Sequence, residues 1–151
     1  MIPIAWLGAR WMLALALLAV IASPRCADDR VIGGAASGRG IHSLRVGEHF
    51  RLGPRRIEVG FQRVTEDSRC PTSVTCVWEG EAGVRLWVLP PGRDSQFVAL
   101  MLPGTRSSDP APLGDLGYQV TALRLDPYPF EPGSITESRY VLKLQVDLLG
   151  H

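Results

Sequence analysis

The chain is poor in the residues from which most catalytic and metal sites are built. It has three histidines and three cysteines in 151 residues. His42 and His49 are seven residues apart, more than about 20 Å along an extended strand, and His151 is the last residue. Unless the chain turns between His42 and His49, they cannot share a zinc or copper ion. His49 would also sit beside Arg45 and Arg51, a poor place for a cation. A nucleophile needs a base, and the base an orienting partner; no such set is identifiable. Nor is a carboxylate pair set up for glycoside cleavage. We therefore expect no enzyme, no cofactor and no metal.

Excess charge of one sign is also lacking. Lys and Arg number 16 against 15 Asp and Glu. That balance argues against a strongly basic nucleic-acid binder and against an acidic tail protein. There is no internal repeat and almost no helical periodicity. The one helical signal, Ser134-Ile135-Thr136-Glu137, has capping-box spacing and supports one turn at most.

What is present begins with an apolar run of twelve residues, Trp11 to Ala22, preceded by Arg10. It has the length of a signal-peptide core and is too short to span a bilayer alone. Val20 and Ala22 satisfy the small-residue rule, so we expect residues 1–22 to be an export signal cleaved after Ala22. An uncleaved anchor over 2–22 would place Arg10 in the bilayer, at roughly 2.5–3.5 kcal/mol. Lipidation at Cys26 is the other route to a membrane, but Pro24 and Arg25 replace the small residues of a lipobox. Residues 23–43 read as a flexible linker, with four Gly among Gly33–Gly40. Arg30-Val31-Ile32-Gly33-Gly34 mimics a protease activation site. The 120 or so residues that follow hold no matching catalytic context, and we read it as coincidence.

From Leu44 onward the period is two. Leu44, Val46, Phe50 and Leu52 share one face, which predicts a strand ended by Gly53-Pro54. Ile57, Val59 and Phe61 alternate, but Val64 has the opposite parity, so a bulge is expected near Gln62-Arg63. Val84, Leu86 and Val88 form a third strand. Phe97 to Leu102 is apolar throughout, which predicts a central strand covered on both faces. Tyr118, Val120 and Ala122 slip parity before Leu125, and Tyr140 to Leu148 alternates cleanly. About six to seven strands with proline-rich turns predict an all-β domain over 44–151. Its architecture is an antiparallel β-sandwich or small barrel.

The most distinctive segment is Asp67-Ser68-Arg69-Cys70-Pro71, followed by Cys76, Trp78 and Gly80. In an oxidising compartment Cys70 and Cys76 are expected to pair, which leaves Cys26 as the odd thiol. Trp78 then either lies over the bridge as a lid on the core or stands displayed. Glu66, Asp67, Glu79 and Glu81 could converge on a calcium ion. The simpler reading pairs Asp67 with Arg69 and leaves Glu79 and Glu81 in a solvated turn.

The segment resembles one in small exported bacterial proteins and lipoproteins, where Asp-Ser-Arg-Cys-Pro precedes Cys-x-Trp-x-Gly. The likeness extends to Val46-Gly47-Glu48 upstream and to the Pro127-Tyr128-Pro129 and Tyr140-x-Leu142 patterns downstream. It implies an exported all-β domain and brings no activity with it.

Two surfaces stand out as candidates for binding. One is the Cys70–Cys76 loop with Arg69, Pro71 and Trp78. The other is Asp126-Pro127-Tyr128-Pro129-Phe130, whose prolines favour an extended, unpaired conformation with Tyr128 and Phe130 displayed. Tyr128-Pro129 is a candidate cis bond. The expected function is that of a periplasmic or secreted, non-catalytic binding or interaction module. Its partner would be an extracytoplasmic protein or small ligand, with no nucleic acid. It would meet the membrane only through an uncleaved signal or a lipidated Cys26. The alternative is an inhibitor of an extracytoplasmic hydrolase, acting through the Cys70–Cys76 loop with Arg69 as a specificity residue.

Overall fold

The structure, a computed structural model, describes residues 40–149. The expectations for the signal sequence, residues 23–39 of the linker, Cys26 and His151 lie outside the described residues. Among those described, eight strands occur: β1 (Gly40–Arg45), β2 (His49–Leu52), β3 (Ile57–Asp67), β4 (Glu81–Leu89), β5 (Gln96–Pro103), β6 (Ala111–Pro112), β7 (Tyr118–Asp126) and β8 (Val141–Leu148). They form two antiparallel four-stranded sheets, ordered β1-β8-β7-β6 and β2-β3-β4-β5. The fold is a β-sandwich, one of the two architectures the alternation predicts.

The core follows from that alternation. Val59, Phe61, Val84, Leu86 and Val88 project inward from one sheet and Val120, Ala122, Leu142, Leu144 and Val146 from the other, all essentially without solvent exposure. Each strand covers one face of its sheet with these residues and leaves the other face to water. The bulge expected near Gln62-Arg63 is present, as a register shift between Phe61 and Arg63. β3 carries another between Val64 and Glu66, and the parity slip in β7 is a third, between Ala122 and Arg124.

Three strand expectations are corrected. The predicted strand Leu44–Leu52 is two strands in different sheets. At Val46–Glu48 the chain turns, with Gly47 at φ +88° and the Glu48 N–H donating to the Arg45 carbonyl at 2.9 Å. Buried residues on both sides of the corner keep the same parity, so periodicity alone does not reveal it. β1 also begins at Gly40, ahead of the linker boundary expected at residue 43. Finally, β5 is an edge strand and not a central one. Its Leu100 and Leu102 are buried, whereas Phe97 is 58% exposed. The capping-box segment gives a single 3-10 turn, Glu137–Arg139. The Ser134 hydroxyl donates to the Glu131 carbonyl rather than capping that turn.

Candidate functional site

β3 and β4 run past the edge of the core, and the segment Ser68–Gly80 joins their ends. Its base continues their ladder. The Ser68 N–H donates to the Glu81 carbonyl at 2.8 Å and the Cys70 N–H to the Glu79 carbonyl at 2.9 Å. Above this base Cys70 and Cys76 are bridged, with Cα atoms 5.9 Å apart. Gly80, at φ +64°, closes the base. A Cβ there would overlap the Ser68 carbonyl, so no other residue fits both the backbone conformation and the space.

Arg69 ties this loop to the rest of the molecule. Its Nε and Nη2 donate to the two oxygens of Asp67 at 2.7 and 2.6 Å. Its Nη1 reaches the Leu125 carbonyl at 2.7 Å and Nη2 the Pro127 carbonyl at 3.1 Å. The guanidinium also lies over the Tyr128 ring, 4.9 Å from its centroid. The Tyr140 hydroxyl completes the cluster by donating to Asp67 Oδ2 at 2.8 Å. Burial opposes ionisation of Asp67, but hydrogen bonds from Arg69 and Tyr140 and the Arg69 charge outweigh it and hold its carboxyl below the usual range. Burial first, and then the Asp67 carboxylate, push the Tyr140 hydroxyl up to about 12.

The two surfaces that stand out separately in the sequence are thereby one. The Thr72 N–H donates to the Pro129 carbonyl at 3.1 Å, and the Ser73 N–H to the Phe130 carbonyl at 3.2 Å. The disulfide loop and the Pro-Tyr-Pro-Phe segment form a short backbone ladder of their own. Beyond these contacts the run Thr72–Glu79 is exposed, with Val77 at 99% and Trp78 at 84%, and Phe130 is 64% exposed. Beside them is a cavity of about 770 Å3, floored by Pro71, Leu102 and Leu125 and walled by Thr72, Arg106 and Tyr128.

The predicted site residues thus divide. Trp78 and Phe130 are displayed, and Tyr128 is half-buried against Arg69. Arg69 and Pro71 are buried and are corrected: neither is displayed on the loop, and both only line the cavity beside it. Arg69 is 3% exposed because its guanidinium donors are spent on Asp67 and two carbonyls. A buried Arg69 cannot serve as a specificity residue for a protease. Trp78 does not lie over the bridge as a lid. The cis bond is Asp126–Pro127, not Tyr128–Pro129.

The four carboxylates do not converge. Asp67 binds Arg69, and Glu79 pairs with Arg106 across the cavity rim. Nor do His42 and His49 come together. His42 stacks on Phe50, with ring centroids 3.7 Å apart, and burial there pushes its imidazole below its ordinary pKa. His49 packs against Trp87 on the outer face of the other sheet.

No family model, curated protein or solved structure matches the chain. The reading of the site therefore stands on its geometry.

Proposed function

We propose that this chain is an exported, non-catalytic interaction module that holds a protein partner through the exposed side chains of the joined loops. The observation that carries this is the division of labour within the cysteine segment. Asp67, Ser68, Arg69, Cys70, Pro71, Cys76 and Gly80 each serve the fold, through an ion pair, the ladder, the bridge, a buried contact or a tight turn. Trp78 does none of this and is left 84% exposed. A tryptophan presented on a loop held by a disulfide, an ion-paired arginine and a backbone ladder is suited to binding. Large rigid aromatics supply most of the energy in protein interfaces, and a preordered loop loses little entropy on docking. Val77 and Phe130 flank it with further apolar surface.

Export is supported by the apolar run Trp11–Ala22 and by the bridged geometry of Cys70 and Cys76, which suits an oxidising compartment. Among the described residues no helix is long and apolar enough to cross a membrane.

The test is a photo-reactive amino acid placed at position 77, beside Trp78, in the full chain, expressed in its own host. A discrete adduct that disappears when Phe130→Ala is added, and that a probe at Lys143 does not give, supports the reading. Equal adducts from positions 77 and 143 sink it. A second reading, hydrolase inhibition, is favoured by the exposure of the whole bridged run Thr72–Cys76. It predicts stoichiometric inhibition in protease titrations that is lost when Ser73 or Val74 is changed, not Arg69.

A further inference from the structure

The outward face of the β2-β3-β4-β5 sheet carries a second arrangement, which the joined loops do not use. His49, Gly60, Trp87 and Phe97 are in register across all four strands. They form one row across the sheet, about 14 Å long at the usual strand spacing. Gly60 is what lets the row lie flat. A Cβ at that position would overlap the Trp87 indole, so the ring rests directly on the β3 backbone. His49 leans on it from one side, with ring centroids 5.6 Å apart, and Phe97 stands on the other, 58% exposed on the edge strand.

The neighbouring row, about 7 Å along the strands, holds Arg63 directly opposite Arg85, with the small Ala99 beyond. Like charges directly opposite one another destabilise a sheet. Among the described residues neither arginine has a carboxylate within ion-pairing distance, in contrast to Arg51 at the far side of the aromatic row, which pairs with Glu58. The Arg85 guanidinium sits 5.9 Å from the centroid of Phe97, so the cationic and aromatic rows adjoin.

We infer that this face binds an anionic polysaccharide, a chain of sugar rings bearing carboxylates, laid along the His49–Trp87–Phe97 row. The apolar C–H face of a pyranose ring matches a flat indole. A carboxylate on that ring accepts hydrogen bonds from two adjacent guanidinium groups, which relieves their mutual repulsion. Charge complementarity selects this occupant over a neutral glycan. A nucleic acid also offers rings and negative charge, but it carries a phosphate on every residue and is held by a continuous basic groove. Here Arg63 and Arg85 lie on one side of the aromatic row, while a separate arginine-lined cleft (Arg51, Arg55, Arg56 and Arg93) opens beyond its other side, where Arg51 and Arg93 are already paired with Glu58 and Asp115, so the cations do not form one continuous groove.

The test is affinity electrophoresis of the processed protein through gels containing a polyuronate, a neutral β-glucan or no polymer, with single-stranded oligothymidylate as a competitor. The expected result is retardation by the polyuronate alone. Arg63→Gln with Arg85→Gln should weaken binding by about tenfold or more, while Trp78→Ala, on the other surface, leaves it unchanged. Trp87→Ala should also abolish retardation. Because Trp87 covers Gly60, the arginine variants, whose side chains reach the surface, carry the test if that variant does not fold. Equal mobility in all three gels overturns the proposal, as does retardation that survives both arginine changes. Displacement by oligothymidylate at lower concentration than by free polyuronate would assign the face to single-stranded nucleic acid instead.

Discussion

The Nη1 atom of Arg69 lies 2.7 Å from the Leu125 carbonyl oxygen, a residue 56 positions away in the sequence. This bond and its neighbour to the Pro127 carbonyl join the disulfide loop of one sheet to the end of β7 in the other. The guanidinium closes the end of the sandwich with a charge, and Asp67 neutralises it from the same strand end.

Removing that charge should therefore be severe. Arg69→Ala leaves Asp67 half-buried with only the Tyr140 hydroxyl, and two carbonyls without donors. Breaking one side of a buried pair costs about 3–5 kcal/mol. Urea unfolding of Arg69→Ala should show a loss in that range. Arg69→Lys should recover only part, because an ammonium cannot reproduce the two-pronged contact. A loss below about 1 kcal/mol would mean the cluster is ornamental to the fold.

The same cluster predicts a pH profile. Tyr140 titrates near 10.0 when unfolded and is held up to about 12 in the fold. The protonated hydroxyl is thus favoured by folding. Its contribution is fully present below pH 10 and is lost as pH rises from 10 through about 12. Asp67 has the opposite sign. Its folded carboxyl lies below the ordinary 3.8, so its contribution is present above that value and fades as pH falls beneath it. Stability measured against pH should fall at both ends. Tyr140→Phe should flatten the alkaline limb, and Asp67→Asn the acid one.

How much of this is legible in the sequence follows from what periodicity encodes. Alternation reports which face of a strand is buried, so it locates Val59, Leu86, Leu142 and their neighbours, together with the bulges that break parity at Gln62 and Leu123. It does not report which sheet a strand joins, so the corner at Gly47 is invisible to it. It also cannot tell a strand covered on both faces from an edge strand with apolar residues turned to water, which misplaces Phe97. The cysteine segment is recognisable from its residue types, but the burial of Arg69 depends on carbonyls more than 50 residues away. The row His49–Trp87–Phe97 is set by register between strands. Its only local trace is Gly60, a glycine inside a strand, which is a recognised mark of close approach by another group.

Gly60 supplies a further prediction. Gly60→Ala forces the Trp87 indole off the β3 backbone, because the new methyl group would occupy the ring's place. Trp87 fluorescence, read in a background with Trp6, Trp11 and Trp78 all changed to Phe, should shift to the red as the ring moves toward water. The core on the other side of the sheet stays in place. An unchanged spectrum would mean that the indole does not rest on residue 60.

The disulfide and Trp78 should separate stability from binding. Cys70→Ser with Cys76→Ser releases a loop of seven residues. The entropy of closing such a loop corresponds to about 2.4 kcal/mol, so thermal unfolding should come at a lower temperature. Partner capture by a probe in the loop should weaken as well, since the loop must then be ordered on binding. Trp78→Ala should affect capture alone. A side chain 84% exposed and without a structural role should change stability by no more than about 0.5 kcal/mol when truncated, yet capture by a probe at Val77 should fall sharply. If Trp78→Ala instead lowers stability as much as opening the bridge does, the indole is a structural part of the loop. The interaction reading then loses the observation on which it rests.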